Sequence, residues 1–132
     1  MVCKSEWIEM SHVLSVSSDK QFLIMTVIGD LTNEIADQQM ADLYKLADQV
    51  NVRKFLIDLV DCRFVGSTID QYEYTTNEMP KTGFVDRSDI FAFLVHPEDH
   101  SHDFVETVSR NTGYNVTLFR DREKAIAHLL KS

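Results

Sequence analysis

The sequence predicts an α/β fold: a mixed, mostly parallel sheet with an N-terminal hairpin and four helices, in a single domain spanning residues 1–132. Three observations predict it. Apolar runs of strand length alternate with helix-periodic segments, the pattern of a parallel sheet covered by helices. The first two strand-like runs are separated only by the polar "SSDK", which reads as a hairpin turn. The length of 132 residues suits one hydrophobic core.

Taken in order, Ser11 to Ser17 ("SHVLSVS") and Gln21 to Ile28 ("QFLIMTVI") read as the two strands of the hairpin, and Gly29-Asp30 ends the second. Thr32 follows as a helix cap, its hydroxyl able to accept from a first-turn amide. The helix after it carries a stripe at Ala36, Met40, Leu43, Ala47 and Val50, spaced four, three, four and three. That is one face of a 3.6-residue helix, with Asp37, Asp42, Lys45 and Asp48 elsewhere. "KFLIDLV" is apolar nearly throughout and suits a central strand covered on both sides.

A second helix starts near Ser67 and stops before Pro80, because the residue preceding proline disfavours helical geometry. Its stripe runs through Ile69, Tyr72 and Thr76, and "PKTGFVDRSD" is a loop. "IFAFLV" is another buried strand. Pro97 suits the first turn of a third helix reaching Thr112, with Phe104, Val105 and Val108 inward. Gly113 fits a left-handed cap. "YNVTLF" is the last strand, and "DREKAIAHLL" the last helix, capped by Asp121 and buried through Ala125, Ile126, Leu129 and Leu130.

Charge narrows the function. The formal net charge is −8, from 21 acidic and 13 basic residues, which opposes a nucleic-acid surface and an anionic membrane. A local basic patch could draw on Arg53, Lys54, Arg63, Arg87, Arg120 and Arg122. The start, "MVCKSEWIEMSH", lacks the apolar core of a signal peptide. "FLIMTVIG" and "IFAFLV" fall well short of the roughly 20 residues a membrane helix needs. Two cysteines, Cys3 and Cys62, give no disulfide framework, and a reducing, cytoplasmic setting is the expectation.

Three segments together are similar to the STAS superfamily, the fold of bacterial anti-sigma-factor antagonists, and more closely to its SpoIIAA-like branch. They are "LIMTVIGDLT" before the first helix, "KFLIDLVDCRFVGST" after it, and the closing "VTLFRDREKAIAHLL". The tail of that branch has a phenylalanine, an acidic cap, an alanine and a terminal tryptophan-leucine. Phe119, Asp121, Ala125 and Leu129 match it, and His128 replaces the tryptophan. Against the antagonist motif, Asp58 and Leu59 match and Val60 replaces a serine. Phe64 keeps the aromatic, and Gly66 takes an aspartate's place. Ser67 matches the first serine, Thr68 falls on the phosphorylatable position, and Ile69 stands where glycine is usual. The resemblance implies the fold and a non-enzymatic regulatory role through another protein.

Independently of any family, Gly66-Ser67-Thr68 at a strand-to-helix junction can present first-turn amides to an anion, with Arg63 nearby. The same residues are equally a structural joint, Ser67 capping and Gly66 turning. "HPEDHSHD" gathers His96, Glu98, Asp99, His100, His102 and Asp103. Imidazole and carboxylate are metal ligands, and His96 and His100 would share a face if the segment were helical. The alternative is a solvated helix start with acids in its first turn. No metal or cofactor is expected. A covalent nucleophile would be Cys62, Ser67 or Thr68, each needing a base, and His12 and His128 suit structural roles better. Trp7, Ile69, Tyr72, Tyr74 and Phe84 are candidates for a docking face or an apolar pocket.

The function expected is therefore protein interaction, with another protein or with itself as a homodimer, from the edge made by the 62–69 turn, the second helix, the 80–88 loop and the start of the third helix. A response to an anion or ligand at that turn would gate it. The alternatives are carriage of a small apolar molecule between sheet and second helix and, third, a Cys- or metal-dependent enzyme.

Overall fold

A computed structural model of the chain describes residues 12–64, 88–111 and 113–131. Five strands, β1 (His12–Val16), β2 (Leu23–Leu31), β3 (Lys54–Phe64), β4 (Ile90–Val95) and β5 (Asn115–Phe119), form one sheet in the order β1-β2-β3-β4-β5. β1 and β2 are antiparallel, and β2 through β5 run parallel. The helices among the described residues are α1 (Asn33–Val50), α2 (Asp103–Asn111) and α3 (Arg122–Lys131). The fourth predicted helix, near 67–79, lies outside the described residues. So do Trp7, Gly66, Ser67, Thr68, Ile69, Tyr72, Tyr74 and Phe84.

The hairpin is tightened by one side chain. Ser17 Oγ accepts from the amides of Gln21 and Phe22 at 3.1 and 3.2 Å and donates to Asp19 at 2.6 Å. This uses the two amides that would open the predicted strand at Gln21, so β2 begins at Leu23 instead. Lys20 takes the left-handed conformation at φ 61°. At its other end β2 does not stop at Gly29-Asp30. Gly29, Asp30 and Leu31 pair with Cys62, Arg63 and Phe64, because β3 runs on past a register shift opposite Thr26/Ile28 and offers them a ladder. The expected turn at residues 62–69 therefore starts as strand.

α1 is capped as the sequence predicts, with Thr32 Oγ1 accepting from the Ile35 amide at 3.3 Å. Leu43 and Ala47 are buried to the last percent, and Ala36 and Met40 pack at the margin. Val50 is 39% exposed instead of buried. The helix ends there, at a left-handed Asn51. Tyr44 and Gln39 are buried beside the stripe, widening the face that the sheet covers.

The sheet has a core on each side. On the α1 side Tyr44 meets Phe55 and Phe91 edge-on, and those two stack with ring centroids 5.0 Å apart. On the other side Phe22, Leu56, Ala92 and Leu94 receive Ala125 and Leu129 of α3. Ile126 is half-buried, while Leu130 is 43% exposed, a correction to the expected face. Asp121 caps α3 through the amides of Glu123 and Lys124.

α2 starts at Asp103, six residues later than Pro97 suggests. Local polar bonds hold residues 96–102 in successive turns instead: the Asp99 amide to the His96 carbonyl, the Ser101 amide to Asp99 Oδ1, and the Asp103 amide to the His100 carbonyl. Asp and His side chains of this kind compete with helical bonding for the backbone. Val108 is buried as expected, and the Phe104 and Val105 side chains fall outside the description. Gly113 adopts the left-handed φ of 100° that closes α2. Arg110 and Glu106 of α2 then take the Val116 carbonyl and the Leu118 amide of the edge strand β5.

Candidate functional site

β4 pairs with β3 only as far as Leu59↔Val95, so the last residues of β3 project beyond it. The loop leaving β4 turns back beside that projection. Between the two lies an open cleft of about 430 Å³, lined by Val60, Asp61, Cys62 and Arg63 from β3 and by His96, Glu98 and Asp99 from the loop. It sits outside the carboxyl ends of parallel strands, where open α/β sheets commonly place their ligands.

Two strands of the earlier expectation meet here. Arg63, proposed for the turn, and His96, proposed as a metal candidate, share this cleft, and Asp99 forms its buried wall. The Asp99 side chain is 8% exposed and lies 3.9 Å from Arg63 Nε, whose own side chain is 75% exposed. Burial works against the charge on Asp99. The Ser101 amide and hydroxyl, with His102 and Arg63, outweigh that, and the carboxyl sits below its usual pKa.

The histidines are dispersed. His102 is buried, and its Nε2 lies 3.1 Å from the Cys62 carbonyl, tying the loop to the end of β3. His100 points to Asp103 at 2.8 Å, and Arg120 reaches His100, Asp103 and the Asp99 carbonyl together. His96 Nδ1 accepts from the Glu98 amide at 3.1 Å. The helical face that would have joined His96 and His100 does not form, since α2 begins only at Asp103. Among the described residues no group of three or more His, Cys, Asp or Glu side chains is arranged to hold a metal. His12 instead pairs with Asp42 of α1, and His128 packs on Phe119.

Cys62 is 1% exposed and faces the α1 core. Burial, with Asp99 and Asp30 adding like-charge repulsion, pushes its thiol up to about 12. Thiolate is the reactive form, so at pH 8 only about one molecule in ten thousand carries it. In a Cys3→Ser variant, a thiol-specific disulfide reagent at pH 8 should leave the native chain unlabelled for hours and label it within seconds in denaturant. Rapid native labelling would show that the thiol is reachable after all.

Asp61 and Arg120 were absent from the sequence-level site. Asp61 reads as an ordinary strand-end acid until the protrusion of β3 places it on the rim. Arg120 is 17 residues from Asp103, its partner at 3.1 Å, and nothing local announces that contact. The predicted apolar pocket between sheet and second helix falls on residues outside the description, while the cleft at the end of β3 is lined by charged side chains together with Val60 and Cys62.

No protein-family model and no curated protein matches this chain. Its structure is similar to several solved ones. An uncharacterized protein of the DUF3478 family with a SpoIIAA-like fold, from Shewanella loihica PV-4, has a TM-score of 0.54 at 20% identity, over 89% of this chain and 91% of that one. The anti-sigma factor antagonist SpoIIAA in its unphosphorylated form has a TM-score of 0.55 at 13% identity, over 92% and 99%. An anti-sigma factor antagonist from Mycobacterium paratuberculosis has a TM-score of 0.58 at 13% identity, over 90% and 94%. The order of strands and helices, the antiparallel opening pair and these likenesses agree: the chain has a SpoIIAA-like fold.

Proposed function

We propose that this chain is a regulatory protein-interaction module without catalytic activity, working from the edge where β3 projects beyond β4. The observation that carries the reading is how the groups at that edge are used. The imidazoles of His96, His100 and His102 hold the loop in place, and the Cys62 thiol is buried and protonated. The charged rim of Asp61, Arg63 and Glu98 is meanwhile exposed. An edge whose reactive groups are spent on structure and whose rim is charged suits recognition better than covalent chemistry. Two of the similar structures named above are anti-sigma factor antagonists, and that likeness points the same way.

The finer features follow the sequence. A partner protein, or a second copy of the chain, would meet the rim and the segment after it. An anion, or phosphorylation at Thr68, would act at the Gly66-Ser67-Thr68 junction, with Arg63 its member among the described residues. A cytoplasmic location fits the cysteine usage, and no helix among the described residues is long and apolar enough to cross a membrane.

A photo-crosslinking amino acid at His96, on the rim, tests the module. In a lysate of the source organism it should give a discrete adduct with one protein, or a crosslinked dimer. The same group at Lys20, in the hairpin turn, should give neither. Equal adducts from both positions, or none from either, would end this reading.

A further inference from the structure

We infer that the edge of the sheet at β1 pairs with β1 of a second copy of the chain, antiparallel about a twofold axis at Leu14. This goes beyond the module proposed above. The edge lies on the far side of β2 from the cleft and leaves the rim free.

The two margins of the sheet differ. At β5, side chains of α2 occupy the edge: Arg110 donates to the Val116 carbonyl at 3.3 Å, and Glu106 accepts from the Leu118 amide. At the other margin no strand lies beyond β1 among the described residues. Its sequence, "HVLSV", carries no lysine and no proline, and its register runs unbroken by a bulge. Those are the devices that usually keep an edge strand from pairing.

Hydrogen-bond parity says which groups of β1 face outward. The Ser17 amide donates to the Phe22 carbonyl at 2.9 Å, and the register continues from there to His12↔Val27. Bonding to one antiparallel neighbour alternates along a strand. Val13 and Ser15 therefore bond to β2, and the N–H and C=O groups of His12, Leu14 and Val16 point away from it. The side chains of Leu14 and Val16 pack half-buried against the core on the α1 side. On the opposite face Ser15 is exposed, and Val13, at 53%, is the most exposed large hydrophobic among the described residues.

The occupant follows from the symmetry of that pattern. A dyad at Leu14 sets Leu14 against Leu14 of the second copy, and His12 against Val16. Every outward-facing residue then meets another, and both N–H···O bonds form at each such pair. The same dyad sets Val13 against Ser15 of the second copy, a large side chain beside a small one, and covers the exposed valine. A contact of this isologous kind closes at two chains. Charge permits it, for the five residues contain no carboxylate although the chain carries a net −8. Asp42, which reaches this strand from α1, is held by His12 at 3.1 Å. An unrelated strand would match the backbone alone and bring no fitted neighbour for Val13.

Sedimentation velocity of the full chain over a wide range of concentration, with amide hydrogen exchange, tests this. The wild type should pass from monomer to a weak dimer, since a single strand pair is a small interface. Exchange at Leu14 and Val16 should slow as the dimer fills, with Val13 and Ser15 unchanged. Val13→Lys and Ser15→Glu should each weaken self-association by about threefold or more, the effect of like charges brought close across paired strands. Mixed together, the two variants should associate at least as tightly as the wild type. The introduced lysine of one copy then stands directly opposite the introduced glutamate of the other. That recovery is specific to the register, and it also shows that both variants fold. A chain that stays monomeric throughout, slow exchange at Leu14 and Val16 in the monomer, a dimer indifferent to both substitutions, or a mixture no tighter than its components would overturn the proposal. Neither His96 nor Lys20 is among the paired residues, so the crosslinking test of the module succeeds or fails separately.

Discussion

Phe55→Ala should destabilise the protein by about 3–5 kcal/mol, the range for deleting a large core aromatic. Phe55 is fully buried on β3, the central strand of the five. Its ring stacks on Phe91 at 5.0 Å and receives the edge of Tyr44 at 5.4 Å. Truncation therefore removes contacts to β4 and α1 at once, and β-sheet backbone on both sides resists collapse into the void. Urea unfolding followed by far-UV circular dichroism reads the loss as a lower midpoint at unchanged slope. A change under about 1 kcal/mol would mean that the site relaxes freely, and that this aromatic trio does not hold α1 to the sheet.

Arg53→Met should cost about 3 kcal/mol, the lower end of the range for breaking a buried ion pair. The Arg53 fork meets Asp89 with Nε to Oδ1 at 2.8 Å and Nη2 to Oδ2 at 2.7 Å. Asp89 is wholly buried, while the Arg53 side chain keeps 36% of its surface exposed. The cost is thus mostly that of taking the bidentate charged partner away from a buried carboxylate. The lower end applies because the guanidinium is only partly desolvated. The hydrogen bond to Asp89 raises the already high pKa of Arg53, so the guanidinium keeps its charge at any ordinary pH. Asp89→Asn should be milder, since a neutral amide is cheaper to bury than a carboxylate that has lost its guanidinium. High salt should change the cost of Arg53→Met little, because screening acts weakly on a pair whose carboxylate is buried. If Arg53→Met were neutral, the methionine would be replacing the pair by apolar packing against Tyr44, over whose ring the guanidinium carbon lies at 4.9 Å. The double variant with Phe55→Ala should lose less than the sum, because Tyr44 is common to both clusters.

These two sites lie at the amino ends of the parallel strands, away from the cleft. The division is physical. Stability is concentrated where β3, β4 and α1 pack flush, and the candidate site sits where β3 outruns its neighbour and leaves backbone and side chains to a loop. The loop is then held by polar contacts from distant residues, His102 to the Cys62 carbonyl and Arg120 to Asp103.

By itself the sequence determined the fold class, the hairpin, the parallel order and the caps at Thr32, Asp121 and Gly113. Each of these follows from local rules: the period of apolar residues, the hydroxyl or carboxylate at a helix start, the glycine that tolerates positive φ. The STAS likeness came from the same local text. What the tertiary structure alone decided was the site. Whether Cys62 and Arg63 are turn or strand depends on a ladder with Gly29 and Asp30, more than thirty residues away. Whether "HPEDHSHD" is helix, metal site or loop depends on which of its side chains find backbone partners nearby and which find Cys62 or Arg120. Burial of Asp99 with one oxygen unbonded is a property of the assembled cleft, because desolvation is the sum of everything packed around a group and no short stretch of chain records it.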